Sequence, residues 1–289
     1  MTTGLADGRV VAPGSIAHLR HVPRRHYGRM VAVAVIIALL ALLARAFALG
    51  QIEWTYVGRF LTAPTILWGL LNTVIMAILA MALGIALGVV IAIMRMSANP
   101  VLRSVAVGYV WLFRGTPVLL QLLLWFNLAL VFPVIGIPGV YTIRTVVVMT
   151  PFVAALLGLG LSQGAYTSEI VRAGLLAVDT GQYEAAKTIG MTHLLSLRRI
   201  VLPQAMRVIV PPIGNEFISM VKATSLASVV QYSEILHNAE NIYYANSRVI
   251  ELLIVATIWY LLVVTLLSIG QAGVERYFGR GAGRAGGRR

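Results

Sequence analysis

Long apolar runs recur along the chain, more than a soluble fold could bury in one core. Stretches at 30–49, 65–94, 105–132, 145–166, 205–221 and 249–269 match or approach the roughly 20 residues that a helix needs to cross a bilayer. None shows the alternation of a barrel strand, and a lone strand leaves its backbone unpaired in lipid. The expectation is an all-α polytopic membrane protein with six spans, the fifth of them the shortest. Composition agrees: 59% of the 289 residues are hydrophobic and 11% charged, far more apolar than an ordinary soluble domain.

A net charge of +13 suggests a nucleic-acid binder until the positions are read. The arginines punctuate the apolar spans instead of covering one face with interleaved aromatics, so nucleic acid is excluded as a partner. Arg9, Arg20, Arg24, Arg25 and Arg29 precede the first span, Arg95 and Arg103 bracket a short loop, and Arg172, Lys187, Arg198, Arg199 and Arg207 gather near 173–203. Five more arginines end the chain. Six spans put all these groups on one side, which the positive-inside rule makes the cytoplasm. Both termini are then cytoplasmic, and basic tails that touch anionic lipid are compatible with the same topology.

Residues 31–44 followed by Ala44-Arg-Ala46 have the look of a signal-peptide core and cleavage site. The 29-residue lead is long for that and the apolar run continues to Leu49, so a retained helix at 30–50 is expected. The lead at 1–29 and the basic tail at 279–289 read as poorly ordered. Cysteine is absent, which rules out disulfides and thiolate metal sites. His18, His21, His26, His193 and His237 show no spacing of a ligand set, so no metal is expected.

Between the apolar stretches lies Glu184-Ala-Ala-Lys-Thr-Ile-Gly190, followed after nine residues by Ile200, Leu202 and Pro203. Asp179 and Gln182 have the spacing of an N-cap and its N3 partner, Ala185 and Ala186 favour helix, and Gly190 suits the position past a C-cap. A short helix outside the membrane is predicted. Its two alanines admit a partner's backbone while Glu184, Lys187, Arg198 and Arg199 supply polar contacts. The bland alternative is a solvated linker helix.

This segment resembles the cytoplasmic loop of permease subunits in ATP-binding-cassette importers. That signature reads Glu-Ala-Ala, three residues, Gly, nine residues, Ile, any residue, Leu, Pro, and every fixed position is matched. Phe113-Arg-Gly-Thr-Pro117, Gly164-Ala-Tyr-Thr-Ser-Glu-Ile-Val-Arg172, Asn215-Glu-Phe-Ile-Ser219 and Lys222-Ala-Thr-Ser-Leu226 are similar to the polar amino-acid branch, which imports histidine, arginine, glutamine and related solutes. The likeness covers about 65–278. It departs at Ala223, where the family often has a carboxylate or amide.

The resemblance implies a type I importer permease fold at 64–278, a five-helix core with one extra N-terminal transmembrane helix, in a bacterial cytoplasmic membrane. It implies a coupling loop at 173–203 in which Tyr183, Glu184, Ala185, Ala186, Lys187 and Gly190 meet a separate ATPase pair. It also implies a second permease subunit, identical or not, and a periplasmic or extracellular amino-acid-binding protein. The chain has two lysines, Lys187 and Lys222, and neither ends a Gly-x-x-x-x-Gly-Lys-Ser/Thr loop. It therefore lacks the phosphate cradle of an ATPase. ATP and Mg are expected on the partner, and the chain itself is expected to be no enzyme.

Arg114, Glu216 and Lys222 sit within or beside apolar spans, where a charge facing lipid costs roughly 3 kcal/mol or more. They are expected to face the interior, with Thr116, Gln121, Asn127, Asn215, Ser219, Thr224 and Ser225 around them to recognise an ammonium and a carboxylate. Internal pairing that only holds helices together competes with that pathway role, and Lys222 has the further option of snorkelling to the outer interface. Glu169 and Arg172, one turn apart, suit either a gate or a plain ion pair. Pro117, Pro151 and Pro211-Pro212 are expected to interrupt three spans and free carbonyls. Gly84 and Gly88 permit close helix packing. The polar run 231–244 is expected to cap the outer face beside a solute-delivering protein.

Two rival classes fit the apolar pattern without the docking loop. A stand-alone secondary transporter or channel for small polar solutes would need coupling acids near mid-membrane, for which Glu216 is the candidate. A membrane scaffold would need no solute path.

Overall fold

The computed structural model describes residues 27–137 and 140–279. The expectations placed on both terminal tails and on His18, His21 and His26 lie outside those residues. Residues 1–52 and 53–289 separate into two units. In the first, α1 (Tyr27–Leu49) is apolar around its whole circumference and has no buried residue, the pattern of a helix surrounded by lipid.

The second unit runs through α2 (Trp54–Leu61), α3 (Pro64–Met96), α4 (Pro100–Gly115), α5 (Val118–Phe126) and the single turn α6 (Leu128–Val131). A hairpin follows, β1 (Val134–Ile137) paired antiparallel with β2 (Tyr141–Arg144). Then come the turn α7 (Thr145–Val148), α8 (Pro151–Leu176), α9 (Thr180–Thr188), the turn α10 (His193–Ser196), α11 (Leu202–Ala223), α12 (Ile235–Asn246) and α13 (Val249–Phe278). The architecture is helical, with one small hairpin that the apolar reading did not foresee.

The expected spans need correction in two places. The third is two helices, α4 and α5, set at 101° to each other, because Pro117 cannot donate to the helix before it. The fourth starts later than expected, since Pro151 occupies the first turn of α8 and Thr150 caps it through Val153 N. Pro151 therefore opens a helix and interrupts none. Pro211 and Pro212 do lie inside a helix, α11. By length and apolarity, α1, α3 and α13 qualify as membrane crossings, with α4 and α5 together a fourth. Helices α8 and α11 have 26 and 22 residues but are diluted by the polar side chains described below.

The core sits where α3 and α8 lie side by side. Gly84 meets Gln163 and Gly88 meets Thr167 so closely that a Cβ on either glycine would come within 2.6 Å of the facing side chain. The small pair thus serves packing. Met76, Leu122, Leu159, Val221 and Val230 fill the space between α3, α5, α8, α11 and the turn after α11. At the other end of α3, Asn72 donates to Ser233 O at 2.8 Å and Asn238 donates to Thr65 O at 2.8 Å, which staples α12 to the start of α3.

Candidate functional site

Helix α9 stands where the Glu-Ala-Ala segment was predicted, and its two ends are closed by local chemistry. Asp179 accepts from Gly181 N at 2.6 Å. Gln182 does not complete a capping box; its Oε1 accepts from Gln204 of α11 at 3.4 Å. At the far end, Gly190 has φ of +79°, its N–H donates to Lys187 O, and Met191 N–H donates to Ala186 O, each at 3.0 Å. That is the Schellman arrangement, which a residue with a Cβ adopts at a cost. The chain then passes through α10 and a five-residue π turn, Leu197–Val201, which holds Ile200 and leads to Leu202 and Pro203.

Ala186 is 1% exposed, a correction to the expectation that both alanines face a partner. It and Tyr183, which packs against the buried cluster that includes Val171, Val178 and Ala205, seat the helix on the bundle. Glu184, Ala185 and Lys187 remain on its exposed face. Tyr183 also borders a cavity of about 600 Å³ with Ile93, Leu175 and His193.

A second concavity, of about 150 Å³, lies between α5, α8 and α11, lined by Val118, Ser162, Gln163, Tyr166, Glu216 and Ser219 among others. Gln163 Nε2 donates to Glu216 Oε2 at 3.2 Å. The Arg114 guanidinium stands over the Tyr166 ring at 5.1 Å, a cation–π contact. The pathway candidates Glu216 and Ser219 meet in this cleft, with Arg114 beside it. Ser162, Gln163 and Tyr166 were missed. Tyr166 sits in the segment 164–172 that the resemblance had singled out, Ser162 and Gln163 just before it, and the signal was the spacing, one helical turn from Gln163 to Tyr166.

Other candidates are engaged elsewhere. Thr116 donates to Leu112 O at 2.8 Å, and buried Gln121 donates to Phe113 O, Thr116 O and Thr116 Oγ1 at 2.9–3.1 Å, so both knit the α4–α5 break. Asn127 donates to Leu123 O at 2.9 Å. Asn215 turns to Glu275 of α13 at 3.0 Å. Thr224 and Ser225 donate to Val221 O and Lys222 O at 2.7 and 2.8 Å, completing the turn after α11, and Lys222 is exposed. Glu169 takes Arg172 Nη2 at 2.8 Å on its own helix and Arg95 of α3 on its other oxygen.

The segment after α11 carries Glu234, a fully buried carboxyl that caps α12 by accepting from Leu236 N at 2.8 Å and His237 N at 2.6 Å. Tyr260 O–H donates to it at 2.7 Å. Burial pushes this carboxyl up to about 7 against the pull of those donors. In the sequence it belongs to the polar run 231–244 expected to cap the outer face, where no local signal sets this one carboxyl apart.

Residues 84–279 match the family described as binding-protein-dependent transport system inner membrane component. Among curated proteins, the chain is 41% identical over 264 residues to an arginine transport system permease protein, ArgU, of Corynebacterium glutamicum, covering 91% of this chain and 84% of that one. It is 39% identical over 218 residues to an L-cystine transport system permease protein, TcyB, of Bacillus subtilis, covering 75% and 88%. Among solved structures, the crystal structure of an amino acid ABC transporter with histidines superposes with a TM-score of 0.65 at 35% identity over 74% of this chain and 94% of that one. An inward-facing MetNI methionine ABC transporter gives 0.58 at 17% identity, covering 75% and 99%, which speaks to fold alone.

Proposed function

The chain belongs to the binding-protein-dependent transport system inner membrane component family, and from that membership we propose that it is the permease subunit of an ATP-driven importer of polar amino acids. The observation that carries this reading is a mechanical continuity. Helix α8 lines the cleft with Ser162, Gln163 and Tyr166 and then runs through Ala177, Val178 and Asp179 into α9. A push on α9 is therefore delivered along one rigid helix to the solute-facing residues.

In this reading Glu184, Ala185 and Lys187 dock into an ATPase subunit, while Tyr183, Ala186 and Gly190 fix the angle at which they are presented. The ATPase pair supplies ATP and Mg. A second permease subunit completes a pathway of which the 150 Å³ cleft is one wall, since pockets that enclose small ligands usually exceed about 300 Å³. Glu216 takes the solute's ammonium, with Gln163 holding the carboxylate in place, Arg114 lying on the carboxylate side, and Ser219 offering a hydroxyl. A receptor delivers the solute at the outer face, and α9 lies in the cytoplasm together with both termini. The membrane is the bacterial cytoplasmic membrane. Alternating access follows if the docked ATPases close and swing the bundle between two states, and the solute biases the swing only by binding those states unequally.

The test is reconstitution with the neighbouring ATPase and receptor and a screen of amino acids for stimulated ATP turnover. Stimulation by one or a few polar amino acids is expected. Uptake without any ATPase present would favour the stand-alone transporter.

A further inference from the structure

No Asp, Glu, Lys or Arg occurs from Gly115 to Ile143, yet this run ends in a hairpin that the other described residues leave largely exposed. Register pairs Ile135 with Ile143 and Ile137 with Tyr141 on one face, and Val134 with Arg144 and Gly136 with Thr142 on the other. Facing residues in an antiparallel pair share a side, so one face of the hairpin is wholly apolar while the other mixes Val134 and Gly136 with Thr142 and Arg144. Its apolar face is open: Ile137 is 66% exposed and Tyr141 65%. The flanking turns continue the surface, with Leu130 82% exposed and Val131 70%, and with Val146 and Val147 exposed beyond β2. The base is fixed, because Thr145 is buried, its N–H donates to Pro133 O at 3.0 Å, and its hydroxyl donates to Phe132 O.

A two-stranded hairpin is marginal in water on its own, so something must cover that face. We propose that the hairpin lies on the outer leaflet of the membrane, with Ile135, Ile137, Tyr141 and Ile143 among the acyl chains and Arg144 among the lipid phosphates. Three observations select lipid over a protein partner. The apolar surface is continuous through α6 and α7 with the ends of the membrane helices. It lacks the charges that steer and orient protein docking. It carries a tyrosine on the apolar face and an arginine on the other, the pairing that suits the headgroup boundary. Lying at that boundary also lets water reach the unpaired strand edges, which hydrocarbon would not allow.

The absence of cysteine makes the test direct. Single variants Ile137→Cys and Thr142→Cys of the full chain carry a nitroxide in lipid nanodiscs, and collision rates are read with oxygen and with a water-soluble nickel chelate. The Ile137 label is expected to collide severalfold more with oxygen than with nickel, and the Thr142 label to show the reverse. A nickel-accessible label at Ile137 means the face is in water and overturns the proposal. A label at Ile137 shielded from both reagents and immobilised means that a second copy or the receptor covers it, which overturns it equally. The choice of leaflet rests on the orientation proposed above, whereas the depth reading does not. A membrane-impermeant maleimide that reaches Thr142→Cys only after cells are opened would overturn the leaflet and leave the transport reading to its own assay.

Discussion

Gln163 of α8 donates a 3.2 Å hydrogen bond to Glu216 of α11, and this bond joins the two helices whose polar residues dilute their apolarity. Both residues line the cleft, which in the proposed pathway puts the pair where a solute would pass. A carboxylate already holding one amide proton keeps lone pairs for an incoming ammonium.

Glu216→Gln is accordingly expected to weaken uptake more than it weakens the fold. Loss of a hydrogen bond to a charged group costs roughly 1.5–3 kcal/mol, which corresponds to a ten- to hundredfold weaker apparent affinity, on the order of one to two decades. The measurement is half-saturating solute for receptor-dependent uptake, alongside the thermal midpoint of the purified protein. An unchanged affinity with a lowered midpoint would assign the pair to helix packing alone.

Glu184 projects from the exposed face of α9 while Ala186 and Tyr183 anchor the opposite face. Glu184→Arg should therefore abolish solute-stimulated ATP turnover and uptake while membrane insertion and the thermal midpoint stay as in the parent. Co-purification with the ATPase subunit reads the docking itself. Normal uptake by this variant would remove α9 from the coupling route.

The helical class and helix α9 were legible because each leaves a local mark: apolar runs for the first, and Asp179, Ala185, Ala186 and Gly190 at the spacing of a capped helix for the second. The side that α9 turns inward was not legible. Ala185 and Ala186 are chemically identical neighbours, and only the way α10 and the π turn fold back on α9 decides which is buried. The same limit hid the true partner of Asn215, since Glu275 lies on a helix far along the chain, whereas Gln121 folds back locally on Phe113 and Thr116 across a bend whose angle no residue pattern gives. Pro151 was misread because a proline suits the first turn of a helix as well as a break, and the cap at Thr150 that distinguishes the two is a single hydroxyl.

Gly84 and Gly108 offer a matched pair of helical glycines. A Cβ at Gly84 would lie 2.6 Å from Gln163 Cγ, whereas nothing stands within 4 Å of one at Gly108. Gly84→Ala forces α3 and α8 apart and is expected to cost about 1–3 kcal/mol as overpacking, read as a lower thermal midpoint. Gly108→Ala meets open space and stiffens a helix, so its midpoint should hold or rise slightly. Equal behaviour of the two variants would show that the α3–α8 contact yields more readily than its geometry implies.

Glu234 links pH to stability with a sign opposite to that of most carboxyls. It lies between α11 and α13, outside the membrane helices, and desolvation raises it from the ordinary 4.5 to about 7. From α13, Tyr260 donates to the carboxyl, and from α3, Thr73 accepts from the neighbouring Ile235 N; neither is a cation. On its own helix Glu240 adds repulsion and His237 is turned toward Glu240 at 3.9 Å. With its folded value above the unfolded one, the protonated carboxyl contributes stability that is full below about 4.5 and is lost as the pH rises through about 7. The contribution is at most about 3 kcal/mol. The thermal midpoint of the purified protein should therefore fall from pH 5 to pH 8, and Glu234→Gln, neutral throughout but still able to accept from Leu236 N, should flatten that slope. A midpoint that instead rises over this interval in the parent and is flat in the variant would mean that the three donors outweigh burial and that the carboxylate is the stabilising form.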